Sequence, residues 1–134
     1  MVALTGRRVA ATARDGDWLV VRLDPGERFP DALLAVAARE GVPGGPLWAI
    51  GAFREAVLAY YDTGARRYVE IPVPEEVEVV ACLGNLARLD SGDPFAHVHA
   101  VLSRRDGTVV GGHLRAAVVG PTLECFVHVA GAPL

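Results

Sequence analysis

The sequence predicts an α+β protein: a mainly antiparallel β-sheet domain with one principal α-helix, at about residues 29–40. Two observations carry this. Apolar residues recur mostly in strand-length segments, and the turn signals "RDGD", "DTGA" and "RDG" join neighbouring segments as hairpins. Only one segment has the 3–4 spacing of an amphipathic helix. The 134 residues fit a single domain, 1–134, of a size that buries roughly two thirds of its unfolded surface and needs no staples.

Taken in order, "RRVAATA" (7–13) and "DWLVVRLD" (17–24) flank the first turn and form an opening hairpin. In "FPDALLAVAAREG" (29–41), Phe29, Leu33, Val36 and Ala37 share one face, widened by Leu34 and Ala38. Asp31 suits the positive end of the helix dipole. Arg39 sits in the last turn, Gly41 can take a left-handed cap, and Pro43 forbids continuation. "PLWAIGAFREAVLAYYD" (46–62) reads as a strand with a bend or bulge at Gly51. "RRYVEIPV" alternates. "EVEVVACLGNLARL" (76–89) is apolar on both faces near its centre, as a central strand would be. "RAAVVG" and "TLECFVHVAG" (122–131) complete the strands.

Composition narrows the function classes. Apolar residues are 51% and charged residues 22%, a globular balance. No apolar run approaches the ~18 residues of a membrane span, and the first residues lack the order of a signal peptide, so the expectation is a cytoplasmic protein away from membranes. Net charge is −3, and all 13 basic residues are arginine. Non-specific nucleic-acid binding needs clustered positive charge, whereas the pairs Arg7-Arg8, Arg66-Arg67 and Arg104-Arg105 have carboxylates close by in sequence. Cys82 and Cys125 belong to no CxxC pair and read as buried free thiols.

Chemistry concentrates in "HVHAVLSRRDGTVVGGHL" (97–114), which holds three of the four histidines. His97 and His99, two apart on a strand, share a face. The face of His113 depends on register. A two-residue Asp-Gly turn sets Arg105 opposite Thr108 and His99 opposite Leu114, sending His113 to the other side. A three-residue loop with Gly107 left-handed sets Arg104 opposite Thr108 and His99 opposite His113. A one-residue slip flips every side chain, so the apolar pattern chooses. The second register alone gathers Val98, Ala100 and Leu102 with Val110, Gly112, Leu114, Ala116 and Val118 on one face.

In that register the His99 and His113 β-carbons lie about 5 Å apart, with His97 about 7 Å away. Three imidazoles can then converge on one ion. Such a set suits zinc, and copper, nickel, iron and manganese also use it. Gly111 and Gly112 leave room beside the ion or let another backbone approach. Asn85 and Glu124 are the polar residues to inspect as second-shell or ligand contacts. His128 shares a strand face with Glu124 and reads as an ordinary strand histidine. Three histidines on one face would equally serve as a polar surface patch or a subunit contact.

Gly84-Asn85, "HVH" at 97–99, the Asp-Gly turn, "GGHL" at 111–114 and Glu124 resemble the signature of the PPC (plants and prokaryotes conserved) domain, and the likeness runs over about residues 8–130. The resemblance implies a compact α+β domain. It implies a homotrimer, as is typical of stand-alone bacterial and archaeal members, with a metal, usually taken to be zinc, at His97, His99 and His113. Plant members add AT-hooks that bind DNA, and bacterial members are often labelled DNA-binding by analogy. This chain has no Arg-Gly-Arg-Pro core of an AT-hook. Cupins also use HxH, but with a glutamate four or five residues on, where Ser103 and Arg104 stand.

Three functions follow as expectations. The first is a trimeric metal-binding module that takes a small anionic ligand or supports a hydrolytic step. The second is a DNA-associated regulator, by family analogy. The third is an assembly module in which the metal only stabilises the fold. No nucleophile–base pair is evident, so enzymatic activity stays open and catalytic residues unassigned.

Overall fold

The computed structural model describes residues 11–132. The chain runs β1 (Ala11–Asp15), β2 (Trp18–Leu23), β3 (Arg28–Phe29), α1 (Asp31–Arg39), β4 (Gly45–Asp62), β5 (Arg67–Val73), β6 (Val77–Arg88), β7 (Pro94–Ser103) and β8 (Val109–His128). Every strand pairing among the described residues is antiparallel. β4 pairs with β6, β6 with β7, β7 with β8, and β8 returns to β4, so four strands form a closed ring. Closure removes free edges from this ring. β5 extends it from β4, while β2, with β1 outside it, extends it from β8.

The opening hairpin turns at Gly16-Asp17, with Asp15 opposite Trp18. The part of "RRVAATA" before residue 11, with Arg7 and Arg8, lies outside the described residues. The long strand bends at Gly51 as expected, with register shifts on both its neighbours there. "RAAVVG" and "TLECFVHVAG" are not separate strands. They continue the histidine strand as the 20-residue β8.

The helix is shorter than its apolar pattern suggested. It spans nine residues, 31–39, not 29–40, so the fold is mostly antiparallel β-sheet with one short helix. Phe29 belongs to β3, opposite Ala117, with its ring 6.0 Å from that of Phe53. A residue before proline is pushed to extended conformations, so Phe29 reaches the same core from a strand. The other end follows expectation. Gly41 is left-handed (φ +68°), its N–H donates to the Ala38 carbonyl, and the Val42 N–H donates to the Ala37 carbonyl. That is the Schellman pattern, with Val42 buried beneath it. Leu33, Val36 and Ala37 join one core with the inward residues of the ring. Cys82 and Cys125 are buried and free, and burial pushes the Cys82 thiol up to about 12 and Cys125 up as well.

Candidate metal centre

The turn after β7 decides where the histidines go. Arg104 donates its N–H to the Thr108 carbonyl at 2.8 Å, and the Gly107 N–H donates to the Arg104 carbonyl at 2.9 Å. Gly107 has φ +86°, the left-handed residue of a three-residue loop. Thr108 hydroxyl and N–H both donate to Asp106 Oδ1, at 2.7 and 2.9 Å, and these bonds hold its carboxyl below the ordinary range. The resulting register pairs His99 with His113, Ala100 with Gly112 and Leu102 with Val110. Val98, Ala100, Leu102 and Leu114 point into the core, while His97 and His99 face out.

The expected apolar face ends earlier than its sequence pattern. Val57 pairs with Ala116 but Leu58 pairs with Leu114, so Arg115 is an extra residue on β8. Beyond this bulge the buried positions become Ala117 and Val119, and Ala116 and Val118 leave the inner face.

His97, His99 and His113 offer ligand nitrogens that all lie within 4.8 Å of one another. Their ring centroids are 5.1 Å apart for His97–His99 and 5.6 Å for each pair with His113. Nitrogens bound tetrahedrally to one zinc lie about 3.3 Å apart, from bonds of ~2.0–2.1 Å. Two further features fit a metal. His113 Nδ1 is buried and makes no hydrogen bond among the described residues, a state that is costly without a partner. The His113 pKa lies below 6.5, through burial first and then the charges of His97, His99 and Arg115. Its neutral form, the one that ligates, is therefore favoured.

The other expected residues are placed differently. Asn85 on β6 pairs directly with His97 and so shares its face. Gly84 beside it has a packing reason: a β-carbon there would overlap the His97 carbonyl. Gly111 and Gly112 also serve close backbone approach. Added β-carbons would lie 3.0 Å from the Ala100 carbonyl oxygen and 2.9 Å from that of Ala59. Glu124 stands far along β8 from His113, between Ile50 of β4 and Arg22 of β2, and the strand registers do not bring it to the histidines. His128 pairs with Trp18, with ring centroids 5.0 Å apart.

Two residues beside the cluster were not singled out by the sequence. The Tyr68 ring on β5 lies 4.8 Å from that of His113, tilted 33°. The Arg115 guanidinium lies 5.7 Å from the Tyr68 centroid. Only the position of Arg115, two residues after His113, could have drawn attention to it. The bulge that aims it has no local sequence signal.

Fold and site together define a small antiparallel β-protein carrying a three-imidazole cluster on its outer strand face. The chain belongs to the Plants and Prokaryotes Conserved (PCC) domain family, whose model matches residues 10–130. No curated protein matches it. Among solved structures, it is similar to a metal-containing protein of Archaeoglobus fulgidus, at 32% identity, covering 95% of this chain and 89% of that one, with a TM-score of 0.80. It is similar to a plant- and prokaryote-conserved protein of Pyrococcus horikoshii, at 26% identity, 98% and 88% coverage and a TM-score of 0.81. A protein of Ralstonia eutropha, provisionally described as DNA-binding, matches at 25% identity, 92% and 85% coverage and a TM-score of 0.85.

Proposed function

We propose that this chain is a metal-binding module, a single domain over 1–134, in which His97, His99 and His113 hold one zinc ion and leave a position for a small anionic ligand. The observation that carries this is the cluster of three imidazoles whose ligand nitrogens lie within 4.8 Å of one another. The relative from Archaeoglobus fulgidus, described as metal-containing, supports it. Zinc held by three neutral donors supplies Lewis acidity toward an oxygen ligand, suited to anion binding or to a hydrolytic step. The chain's own part is to fix two ligands on β7 and one on β8 by strand register, with Asn85 beside His97 to orient its ring. Gly111 and Gly112 let β8 approach β7 and β4 closely enough to hold that register.

We place the protein in the cytoplasm as a homotrimer. No helix among the described residues is long and apolar enough to cross a membrane. Self-association is supported by large apolar side chains on the outer faces of β4 and β6: Trp48, Ile50, Val80 and Leu83 are 43–60% exposed. An open apolar face of this kind suits a protein contact.

The test is the metal content of protein purified without a histidine tag. About one equivalent per chain is expected, lost in His99→Ala and in His113→Ala. Negligible metal, unchanged by either substitution, would end the reading. If the triple histidine variant lowers the melting temperature but no anion binds, the purely structural role replaces it.

DNA association, the second reading, draws on the description of the Ralstonia eutropha protein. Charge weighs against it. Arg104 pairs with Glu75 at 2.9 Å, Arg115 with Glu70 at 3.8 Å and Arg28 with Asp31 at 4.0 Å, beside a net charge of −3. A gel shift at low salt, where phosphate contacts are strongest, tests it; no shift there removes it.

A further inference from the structure

The His113 side of the cluster carries a wall that the metal itself does not require. Ala59 pairs with His113 on one side and with Glu70 on the other, so the three share a face. Ala59 lies on the outer side of the sheet, since Leu58 and Leu114, the neighbouring pair, point inward. Yet Ala59 is only 1% exposed, so larger side chains roof it. Tyr68 is one of the large side chains beside it: its ring lies 4.8 Å from His113, and the Tyr61 ring meets it edge-on at 5.2 Å and 64°. Arg115 then lies over Tyr68, at 5.7 Å.

Arg115 owes this position to the β8 bulge. Bulges occur beside active sites, where they re-aim one side chain. Its ion pair with Glu70 is weak: Nε lies 3.8 Å from Oε1, and both side chains are about half exposed. The outer edge of a guanidinium offers two parallel N–H donors, a shape that matches carboxylate and phosphate oxygens.

We propose that Arg115, propped against Tyr68, is the anion-recognition residue of this site, binding the outer oxygens of a small oxyanion whose inner oxygen meets the metal. This rests on the metal-centre reading and assigns to it a ligand class and two specificity residues. Tyr68 positions the guanidinium and shields the His113 ring, and Glu70 yields Arg115 when the anion arrives.

The experiment uses the full chain loaded with Co²⁺, whose visible spectrum reports both the histidine ligands and anything added to the open position. In wild type, inorganic phosphate and acetate, titrated separately, are each expected to change that spectrum saturably, and their relative affinities separate phosphate from carboxylate specificity. Arg115→Gln should weaken the tighter anion by roughly 10–100-fold, the loss of one charge-assisted contact, with Co²⁺ stoichiometry retained. Tyr68→Ala should weaken it less, and Tyr68→Phe should bind as wild type. Anion affinity unchanged in Arg115→Gln, or no anion response in a cobalt-loaded wild type, overturns the proposal while leaving the metal centre standing. If wild type takes up no Co²⁺, the metal-centre reading itself falls.

Discussion

A single imidazole carries the chemical argument at the scale of residues. His113 is the deepest of the three histidines, and its pKa is held below 6.5. Below 6.5 the unfolded chain binds a proton at this position before the folded chain does. The His113 contribution to stability is therefore present above pH 6.5 and lost as pH falls through the lower folded value. Metal affinity should fall only at the lower pH where the folded imidazole takes up its proton, since a protonated imidazole cannot ligate. We expect zinc affinity measured by competition with a chromophoric chelator to fall as pH is lowered below the ordinary histidine range, the burial of His113 delaying its protonation. His113→Ala should lose more than the ~10–100-fold that loss of a supporting residue costs. Asn85→Ala should stay within that range. The three-histidine cluster was legible in the sequence because HxH and one turn dipeptide bear directly on strand faces. Tyr68 and Arg115 were not, because each reaches the site through a pairing or a bulge that no local pattern encodes. Glu124, a residue to inspect on sequence grounds, pairs with Arg22 and Ile50, away from the histidine pairings.

The element that matters most is the β7–β8 hairpin. Its register follows from the position of Gly107, whose φ of +86° strains any residue with a β-carbon. Nothing lies within 4 Å of a β-carbon there, so Gly107→Ala isolates the conformational cost. It should destabilise by about 1–2 kcal/mol, seen as a lower denaturation midpoint at unchanged slope, with metal binding retained in the folded fraction. Gly84→Ala is expected to be harsher. A β-carbon there meets the His97 carbonyl, so β6 and β7 must part, which should lower both stability and metal affinity. Elements were read well where their determinants are local, as with the Gly51 bend and the Gly41 cap. They were misread where tertiary structure decides. Phe29 has helical spacing but sits in β3, and Gly120-Pro121, which looks like a break, lies within β8.

For the whole molecule, closure of the β4–β6–β7–β8 ring was not visible in the sequence. It depends on β4 pairing with β8, strands separated by most of the second half of the chain. Alternating strands imply a sheet but not whether it closes. Val80 and Leu83 gave β6 its two-sided look, and with Trp48 and Ile50 of β4 they form the open apolar face proposed above for self-association. Light scattering should give a mass near three chains of 14.1 kDa, and Trp48→Glu with Leu83→Glu should shift it toward one chain. A wild-type monomer would remove the trimer without touching the histidines.

X-ray absorption at the zinc edge of tag-free protein tests the central claim most directly. We predict about one zinc per chain, with a first shell of nitrogen and oxygen near ~2.0–2.1 Å and outer scattering from three imidazoles, absent when His97, His99 and His113 are all replaced by alanine. Protein without zinc or another divalent metal, or with metal that survives the triple replacement, would contradict the account.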